Sequence, residues 1–498
     1  MTLLVDSVNS CLTALGYSAD ARAALWSVTR AKTFQPYLIP SIVQACTDRK
    51  VPITFTDAAI QALRAAIQSE QYPHARGYQC EGIDFLRANR SALLADEMGL
   101  GKSLQALLAH EAPRPLLVVA PRSLVRVWQD EIEKWRPDLT VQSSALGWPD
   151  RAETTIVTSH EIGKWAPGGA YPETHLIIDE AHLYKAYSAQ RTKLVRNTAR
   201  NVLSRGGSVH AMTGSPILNS PKELWSMLVL LRLHTKLYRG YKDFARQFGG
   251  KDDGLGYWEF NAARIEPGAT DPLRPYILRR VKADVLTELP PKIYRTHYST
   301  GPNVVRILDA LPDDIREPED LPPSTRVELA YAKHMGYRIQ LAEQARQAPL
   351  VYFSAHRAPI EDCQQLPGWS TVHGGIGQID RDRRIAAFQR GDLRALACTI
   401  QTAALGLTLT AAAHVTFIDR SFVPETNNQA EDRLHRIGQK DTVVVTDVVA
   451  DHPIDRRVHE ILRKKQAIIE GTTGKLISNT RQQLSDIVAR LDRAVVNA

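Results

Sequence analysis

Cysteine is scarce in this chain, and no two cysteines are paired in the sequence. The 498 residues include five cysteines, which form no CxxC motif: Cys11, Cys46, Cys80, Cys363 and Cys398. Such scatter excludes a disulfide framework and argues against a zinc finger. Unpaired cysteines are typical of proteins that work in a reducing interior.

Long apolar runs and targeting signals are also missing. No run approaches the roughly 18 apolar residues that are needed to cross a bilayer. The opening residues, MTLLVDSVNSCLTALGYSAD, lack the basic segment, apolar core and cleavage site of a secretory signal. We therefore expect a protein without membrane contact. Because no convincing basic import signal is present, we expect a cytoplasmic location in a prokaryotic or viral setting, and a nuclear one if the host is eukaryotic.

The composition is that of an ordinary globular protein with a basic bias. Hydrophobic residues make up 44% and charged residues 23% of the chain. The formal net charge is +8, which is the right sign for a partner with a phosphate backbone. The length suits two to four domains with proper cores.

Short apolar strands alternate with helical stretches in two separate blocks. The first block contains the strand-like runs 91–95, 115–120, 154–158, 174–179 and 208–213, and the second contains 349–354, 370–374, 393–399, 414–419 and 442–449. This alternation predicts two α/β units with doubly wound parallel sheets. The predicted domains are a helical N-terminal segment (1–73), lobe 1 (74–235), a helical insertion and linker (236–325), lobe 2 (326–470) and a C-terminal helix (471–498).

A glycine-rich loop lies between the first strand of the first block and the next helix. Gly99 and Gly101 would let backbone amides turn toward phosphate groups without a Cβ in the way. Lys102 could reach the β- and γ-phosphates, and the Ser103 hydroxyl could ligate magnesium. The residues that we expect to bind ATP in this loop are Asp96, Met98, Gly99, Leu100, Gly101, Lys102 and Ser103.

An acidic pair follows another apolar strand about 80 residues later. Asp179 and Glu180 would lie at the carboxyl edge of the sheet, beside the glycine-rich loop. There, Asp179 would hold magnesium, partly through water, and Glu180 would orient and deprotonate the attacking water.

Two arginines in the second block complete the predicted catalytic set. Arg433 and Arg436 are three residues apart, so the spacing predicts that both lie on one helix face. An arginine that reaches the γ-phosphate is typically worth about 10³–10⁵ in the rate of phosphoryl transfer.

Each of these three motifs also has a simpler interpretation. The loop could be an ordinary helix start, especially since Asp96 stands where the general phosphate-loop pattern has glycine. The acidic pair could be decoration at a strand end, and the arginines could form a solvated helix face. Their occurrence together and in this order is much harder to obtain by chance.

With these motifs taken together, residues 74 to 470 resemble the Swi/Snf-type ATPases, a family of superfamily 2 double-stranded DNA translocases. DEMGLGKS (96–103) is that family's form of the phosphate loop, which accounts for Asp96, and the block LRRVKADV (278–285) followed by LPPK (289–292) is close to a family hallmark. The resemblance implies two RecA-like lobes of the P-loop NTPase class, ATP and magnesium as cofactors, and Gln79 as the reader of adenine.

The resemblance also implies roles for residues outside the catalytic set. Residues that would couple hydrolysis to movement are His182, Thr213, Gly214, Ser215, Gly406 and Gln429. Candidate contacts with DNA phosphates are Ser123, Ser159, Lys185, Arg279, Arg280 and Lys282. The serines could instead cap helices, and the two arginines could only pack the lobe interface.

Some positions depart from the commonest family pattern. Serine replaces the usual threonine at Ser103 and Ser215, and Phe422-Val423-Pro424 stands where Trp-Asn-Pro is usual. The segment TAALGLTLTAA (402–412) replaces a more glycine-rich version, which favours the compact annealing-helicase-like branch or its bacterial and viral relatives.

The sequence therefore predicts a monomeric, DNA-stimulated ATP hydrolase that moves along double-stranded or forked DNA. Protein partners, if any, could bind the N-terminal segment. Two alternatives are a strand-separating DNA or RNA helicase of the same superfamily and a DNA-binding scaffold with an inactive nucleotide site.

Overall fold

The computed structural model describes most of the chain from residue 74 to residue 473. The described residues are 3–8, 11–16, 33–34, 42, 46, 53–55, 59, 72, 74–143, 154–162, 173–217, 220–254, 258–286, 288–312, 315, 317–403 and 407–473. They form two compact units, of which unit 1 ends at Val285 and resumes at Ile468, and unit 2 runs from Leu286 to Ala467. In the described part of the chain, no helix is both long and apolar enough to span a bilayer.

Unit 1 is built on a seven-stranded parallel sheet with the order β13-β5-β10-β9-β6-β8-β7. A separate four-stranded sheet lies near the N-terminus, and β11 and β12 pair as an antiparallel hairpin. The strands are β1 Leu3–Val8, β2 Cys11–Gly16, β3 Thr33–Phe34, β4 Ile53–Phe55, β5 Ser91–Leu94, β6 Leu116–Val119, β7 Val141–Ser143, β8 Thr154–Val157, β9 His175–Ile178, β10 Ser208–Met212, β11 Phe248–Asp252, β12 Trp258–Ile265 and β13 Ile277–Leu278.

Helices pack on both faces of this sheet. Along β5, Leu93 belongs to the apolar cluster on one face and Leu94 to the cluster on the other, because successive side chains of a strand point to opposite faces. The helices are α1 Gly77–Ala88, α2 Lys102–Ala109, α3 Val125–Trp135, α4 Gln190–Ser204, α5 Pro221–Leu230, α6 His234–Leu237, α7 Tyr241–Gln247 and α8 Lys282–Val285, with short 3₁₀ turns at Arg122–Leu124, Ala181–Tyr184 and Asp271–Leu273.

Unit 2 has a six-stranded parallel sheet with the order β14-β19-β18-β15-β17-β16. Its strands are β14 Lys292–Ser299, β15 Leu350–Ser354, β16 Trp369–Val372, β17 Ala395–Thr399, β18 His414–Phe417 and β19 Val443–Ala450. Its helices are α9 Pro302–Asp309, α10 Pro323–Gln347, α11 Arg357–Asp362, α12 Gln378–Gln389, α13 Ile400–Ala403, α14 Pro424–Glu431 and α15 Pro453–Thr473, with 3₁₀ turns at Pro318–Asp320 and Cys363–Gln365. The two parallel sheets confirm the predicted α/β class with RecA-like lobes.

The N-terminal segment, which we predicted to be helical, contains strands as well as the helical residues Ile42, Cys46 and Ala59. Its described residues include β1 to β4, and β1 pairs with β2 in antiparallel register from Leu4 opposite Gly16 to Val8 opposite Cys11. Asn9 and Ser10 stand between these two strands in the sequence, and both residue types favour turns. The pair is therefore a hairpin signal in the sequence.

The region from 236 to 325 also differs from the predicted helical insertion and linker. It contains the hairpin of β11 and β12 and the strands β13 and β14, and α9 lies within the predicted linker. Because β14 pairs along its whole length with β19, this part of the chain belongs to unit 2, which therefore begins near Leu286 rather than at residue 326. The predicted C-terminal helix lies outside the described residues after Thr473.

Three buried histidines form a hydrogen-bonded row in unit 1. The Nδ1 atoms of His110 and His175 are 3.1 Å apart, and His175 Nε2 lies 2.8 Å from His210 Nδ1. The row ends at the carbonyl oxygen of Asn89, which is 2.8 Å from His210 Nε2. Burial lowers the pKa of His110 and of His210 to about 4 and holds that of His175 well below its usual value.

This row should make unit 1 sensitive to acid. A histidine whose pKa is lowered by folding contributes stability at neutral pH, which is lost as the pH falls below about 6.5, because the unfolded chain then takes up the proton. We expect His175→Gln to reduce the dependence of the free energy of unfolding on pH by about 1.4 kcal/mol per pH unit between pH 4.5 and 6. Urea titrations across that range measure it, with the exposed His160→Gln as control; equal slopes for His175→Gln and the wild type would contradict the assignment.

Candidate active site

The loop between β5 and α2 has the backbone of a phosphate-binding loop. Gly99 and Gly101 have φ angles of 83° and 74°, in the left-handed region that favours glycine. A Cβ on Gly101 would come within 2.4 Å of the Gln79 Nε2 atom, so a larger residue there would displace the Gln79 side chain. The helix that follows begins at Lys102. Because the first amides of a helix have no partner within it, those of this helix are available to the loop.

The Lys102 side chain folds back over this loop. Its Nζ atom donates to the carbonyl oxygens of Asp96 and Glu97, at 2.9 and 3.3 Å. The segment after β10 packs against the same place, since a Cβ on Gly214 would lie 2.6 Å from Met98 Cγ and 3.7 Å from Lys102 Nζ. The structure thus brings together the loop, its lysine and the predicted coupling glycine.

Gln79, the predicted adenine reader, lies at the start of α1 beside the loop. Its side-chain oxygen accepts from the Arg76 amide at 2.8 Å, and its Nε2 donates to the Leu100 carbonyl oxygen at 3.2 Å. The Tyr78 hydroxyl donates to the same carbonyl at 3.2 Å. Gln79 therefore has contact with the phosphate loop itself, and a role in reading adenine remains a prediction.

The acidic pair lies at the carboxyl end of β9, as the sequence predicts. The Asp179 carboxylate accepts from Trp128 Nε1 and from the Glu180 amide, both at 2.8 Å. Burial and the Glu180 carboxylate raise the pKa of Asp179 to about 6, whereas these two hydrogen bonds and Lys102 oppose the rise. A divalent cation at this carboxylate would favour its ionised form.

Trp128 supports the acidic pair from inside unit 1. Its side chain is fully buried, and its indole N–H donates to Asp179. A buried tryptophan usually finds a partner for its N–H, and the partner here is a proposed magnesium ligand. The sequence offers no signal for this contact, because the two residues lie 51 positions apart.

Glu180 and Thr213 are connected through His182. The His182 Nδ1 atom lies 3.2 Å from Glu180 Oε2 and 3.1 Å from Thr213 Oγ1, which in turn accepts from the Ser215 amide at 3.1 Å. Glu180 has a φ angle of 45°, a conformation that costs a non-glycine residue about 1–2 kcal/mol. Such strain is typical of functional positions. This chain of contacts joins the predicted base to the predicted coupling segment.

The predicted DNA contacts need correction at several positions. Arg280 and Lys282 are buried, with 0% and 3% exposure, so neither presents a charge to DNA in this structure. The Arg279 guanidinium is directed inward, where it donates to the carbonyl oxygens of Ala95 and Gly214 at 3.0 and 3.1 Å.

The remaining candidates for DNA contact have varied surroundings. Lys185 Nζ pairs with Glu223 at 3.1 Å. Ser159 hydrogen-bonds to Tyr184, whose pKa burial raises to about 12. Ser123 lies partly exposed in the 3₁₀ turn after β6. A DNA-binding role for these three residues remains a prediction.

In unit 2, the two arginines that we expect to act on the γ-phosphate (arginine fingers) do not lie on a helix. Helix α14 ends at Glu431, and Arg433 and Arg436 follow it in a series of turns. Arg433 is 7% exposed, and Arg436 Nη1 donates to Thr408 Oγ1 at 3.0 Å. Gln429 is buried near the end of α14, and Gly406 lies outside the described residues.

A buried ionic network lies at the C-terminal end of α14, and sequence reasoning missed it. The Glu431 carboxylate accepts from Arg420 at 2.7 Å, from Lys292 at 3.1 Å and from the Tyr294 hydroxyl at 2.9 Å. Lys292 also pairs with Asp432 at 3.2 Å. Although burial alone would raise the pKa of Glu431, the two cations hold it below its usual value. The network ties the arginine-bearing turn to β14.

The donors in unit 1 fit a magnesium–triphosphate complex. Magnesium prefers oxygen ligands and is usually held by one or two carboxylates together with substrate phosphates and water. Asp179 and Ser103 would supply a carboxylate and a hydroxyl next to the glycine-rich loop. Among the described residues, no three His, Cys, Asp or Glu side chains cluster tightly enough to hold a metal ion by themselves.

Comparison with known families agrees with this geometry. Residues 78–300 match the SNF2-related domain, and residues 335–438 match the helicase conserved C-terminal domain. The chain therefore resembles the Swi/Snf-type ATPases in both of these domains. The first match contains the phosphate loop, the acidic pair and the coupling segment, and the second contains both arginines.

Individual members of the family are similar over most of this chain. A Caenorhabditis elegans homolog of SWI/SNF-related matrix-associated actin-dependent regulator of chromatin subfamily A-like protein 1 is 30% identical over 79% of the chain and 61% of its own length. The mouse DNA annealing helicase and endonuclease ZRANB3 is 27% identical over 82% of the chain, and the Saccharomyces cerevisiae ISWI chromatin-remodeling complex ATPase ISW1 is 27% identical over 78%. The chain spans only 41% and 40% of those two relatives.

Proposed function

We propose that this protein hydrolyses ATP to move along double-stranded DNA. The observation that carries the proposal is the convergence at one edge of the unit 1 sheet. There, Lys102 covers the phosphate loop, the Asp179–Glu180 pair lies at the end of β9, and His182 joins Glu180 to Thr213. The match to the SNF2-related domain and the net charge of +8 support DNA as the partner.

In the proposed mechanism, each side chain has one task. The loop amides and Lys102 bind the β- and γ-phosphates, and Asp179 and Ser103 orient magnesium. Glu180 takes the proton of the attacking water. Arg433 and Arg436 stabilise the charge that develops on the γ-phosphate.

Movement would follow from the contacts of Glu180. Loss of the γ-phosphate would remove a negatively charged group next to Glu180. A resulting shift of Glu180 would reach Thr213 and the segment that follows it through the contacts of His182. Repeated ordering and release of such a segment can drive alternate grip on DNA. Since grip on the backbone reads little sequence, the motor should be largely sequence-independent and its binding sensitive to salt.

Two assays on the full chain test the proposal. Steady-state ATP turnover with and without duplex DNA should show clear stimulation, and displacement of a third strand from a triplex should require ATP. Lys102→Ala is the inactive control for both assays. Absence of stimulation by duplex DNA would overturn the proposal, and strand separation of a fork-free duplex would favour the helicase alternative.

A further inference from the structure

The last segment of unit 1 before unit 2 runs directly beside the phosphate loop. Strand β13 pairs in parallel with β5, the strand that leads into the loop. The pairing continues beyond the strand, since the Ala95 amide donates to the Leu278 carbonyl oxygen at 2.7 Å and the Glu97 amide to the Arg280 carbonyl oxygen at 2.9 Å. This segment ends at Val285, where unit 1 gives way to unit 2.

Arg280 forms a two-pronged ion pair with Asp96 inside this arrangement. Its Nε and Nη2 atoms donate to the two carboxylate oxygens of Asp96 at 3.0 and 2.6 Å, and its backbone amide donates to one of them at 3.1 Å. Both side chains are completely buried. The planar guanidinium fork therefore fixes the orientation of the carboxylate as well as its charge.

The rest of the guanidinium is held by unit 1 as well. Its Nη2 atom donates to Gln105 Oε1 at 2.7 Å, and its Nη1 atom donates to the Tyr78 carbonyl oxygen. A Cβ on Gly82 would lie 1.7 Å from Gln105 Oε1 and 2.7 Å from Arg280 Nη2. The close approach of α1 to this site therefore depends on glycine at position 82.

The neighbours of Arg280 attach to the same loop. Arg279 donates to the carbonyl oxygens of Ala95 and Gly214, as described above. The Lys282 amide donates to Glu97 Oε2 at 2.7 Å. These contacts reach the phosphate loop and the segment that packs on it.

Asp96 connects this cluster to the lysine of the loop. Its carboxylate is held by Arg280, while its backbone carbonyl oxygen accepts from Lys102 Nζ at 2.9 Å. Replacing a buried ion pair by apolar groups is often neutral or stabilising. Stability alone is thus a poor reason to keep two charges here, whereas control of the position of Asp96 is a specific one.

We propose that Arg280 is a positioning residue for ATP hydrolysis, which acts through Asp96 on Lys102 and ties the phosphate loop to the segment that leads into unit 2. This inference rests on the proposed ATPase function. It gives the family block that contains Arg280 a task at the nucleotide site instead of a contact with DNA.

The double variant Asp96→Asn/Arg280→Gln separates positioning from stability. The single variant Arg280→Gln leaves a buried carboxylate without its cation and should lower Tm, whereas the double variant removes both charges and should recover most of that loss. We nevertheless expect the double variant to raise the Kd for a fluorescent ADP at least tenfold and to lower kcat. The control is Glu259→Gln/Arg264→Gln, which removes an exposed ion pair from β12 of the same unit. Recovery of wild-type Kd and kcat together with Tm would overturn the proposal.

Arg280→Lys provides a second test that does not depend on the double variant. Lysine keeps the charge but cannot reproduce the two parallel hydrogen bonds. We expect near wild-type Tm with a several-fold higher Kd for the fluorescent ADP. An unchanged Kd and kcat would show that charge alone is sufficient and would contradict the positioning role.

Hydrogen exchange tests the tie between the two segments. Adding ADP to the wild-type protein should slow exchange in residues 95–103 and also in residues 277–285. In the double variant, the response of 277–285 should be lost. If exchange in residues 277–285 of the wild type does not change on adding ADP, the proposed connection between this segment and the phosphate loop is wrong. These binding and exchange readouts need no DNA, so they remain informative even if duplex DNA fails to stimulate turnover and the proposed function falls.

Discussion

Glu180→Gln is expected to abolish ATP turnover while ATP still binds. An amide has nearly the same shape as the carboxylate, but it cannot accept the proton of the attacking water. Removing a general base usually costs about 10²–10⁴ in rate. Glutamine can keep the contact with His182, which lies 3.2 Å from Glu180 Oε2. The turn that follows β9 should therefore retain its structure.

Two measurements on this variant are needed together. Steady-state turnover reports the loss of the base, and titration with a fluorescent ATP analogue reports binding. Glu133→Gln, at an exposed position of α3, is the matched control and should leave both unchanged. Wild-type turnover by Glu180→Gln would show that another group activates the water.

Arg436→Ala is expected to slow hydrolysis about 10³-fold or more with little change in nucleotide affinity. An arginine finger acts on charge that develops in the transition state, so its loss lowers kcat rather than ground-state binding. In the structure its guanidinium donates to Thr408, in a turn outside any helix, so truncation to alanine should not disturb an element of secondary structure.

Single-turnover and binding measurements separate the two effects for Arg436. The control is Arg390→Ala, which removes a largely exposed arginine that pairs with Asp392 in unit 2. A variant that loses only affinity would contradict the finger role. Arg433→Ala should lower Tm as well as turnover, because Arg433 is buried.

Ten of the thirteen described strands in the two parallel sheets were predictable because they are short, apolar and bounded by polar loops. Strands β7 and β13 were not, since they have only three and two residues, and β13 gains its order from pairing with β5. Strand β14 has the sequence KIYRTHYS and a mostly exposed surface, so its pattern does not identify a buried strand. Its pairing partner, β19, is remote in the sequence.

The phosphate loop and the acidic pair were predictable because their chemistry is local in sequence. The error at Arg280 has the opposite cause, since its partner Asp96 is 184 residues away and a run of basic residues resembles a DNA-binding surface. The helix predicted for Arg433 and Arg436 fails for a related reason. The last residue of α14, Glu431, and the next residue, Asp432, pair with Lys292, and local helix propensity does not register such tertiary contacts.

The pairing of β14 with β19 has a consequence for how the chain is made. Strand β14 is the first strand of unit 2 to leave the ribosome, yet the neighbour that completes it, β19, is the last. Until residues 443–450 are synthesised, the edge of β14 that pairs with β19 is open, and so is the facing edge of β18. Open strand edges of this kind invite association between chains. Chains that stop short of β19 should therefore aggregate during synthesis, even though they contain five of the six strands of the unit 2 sheet.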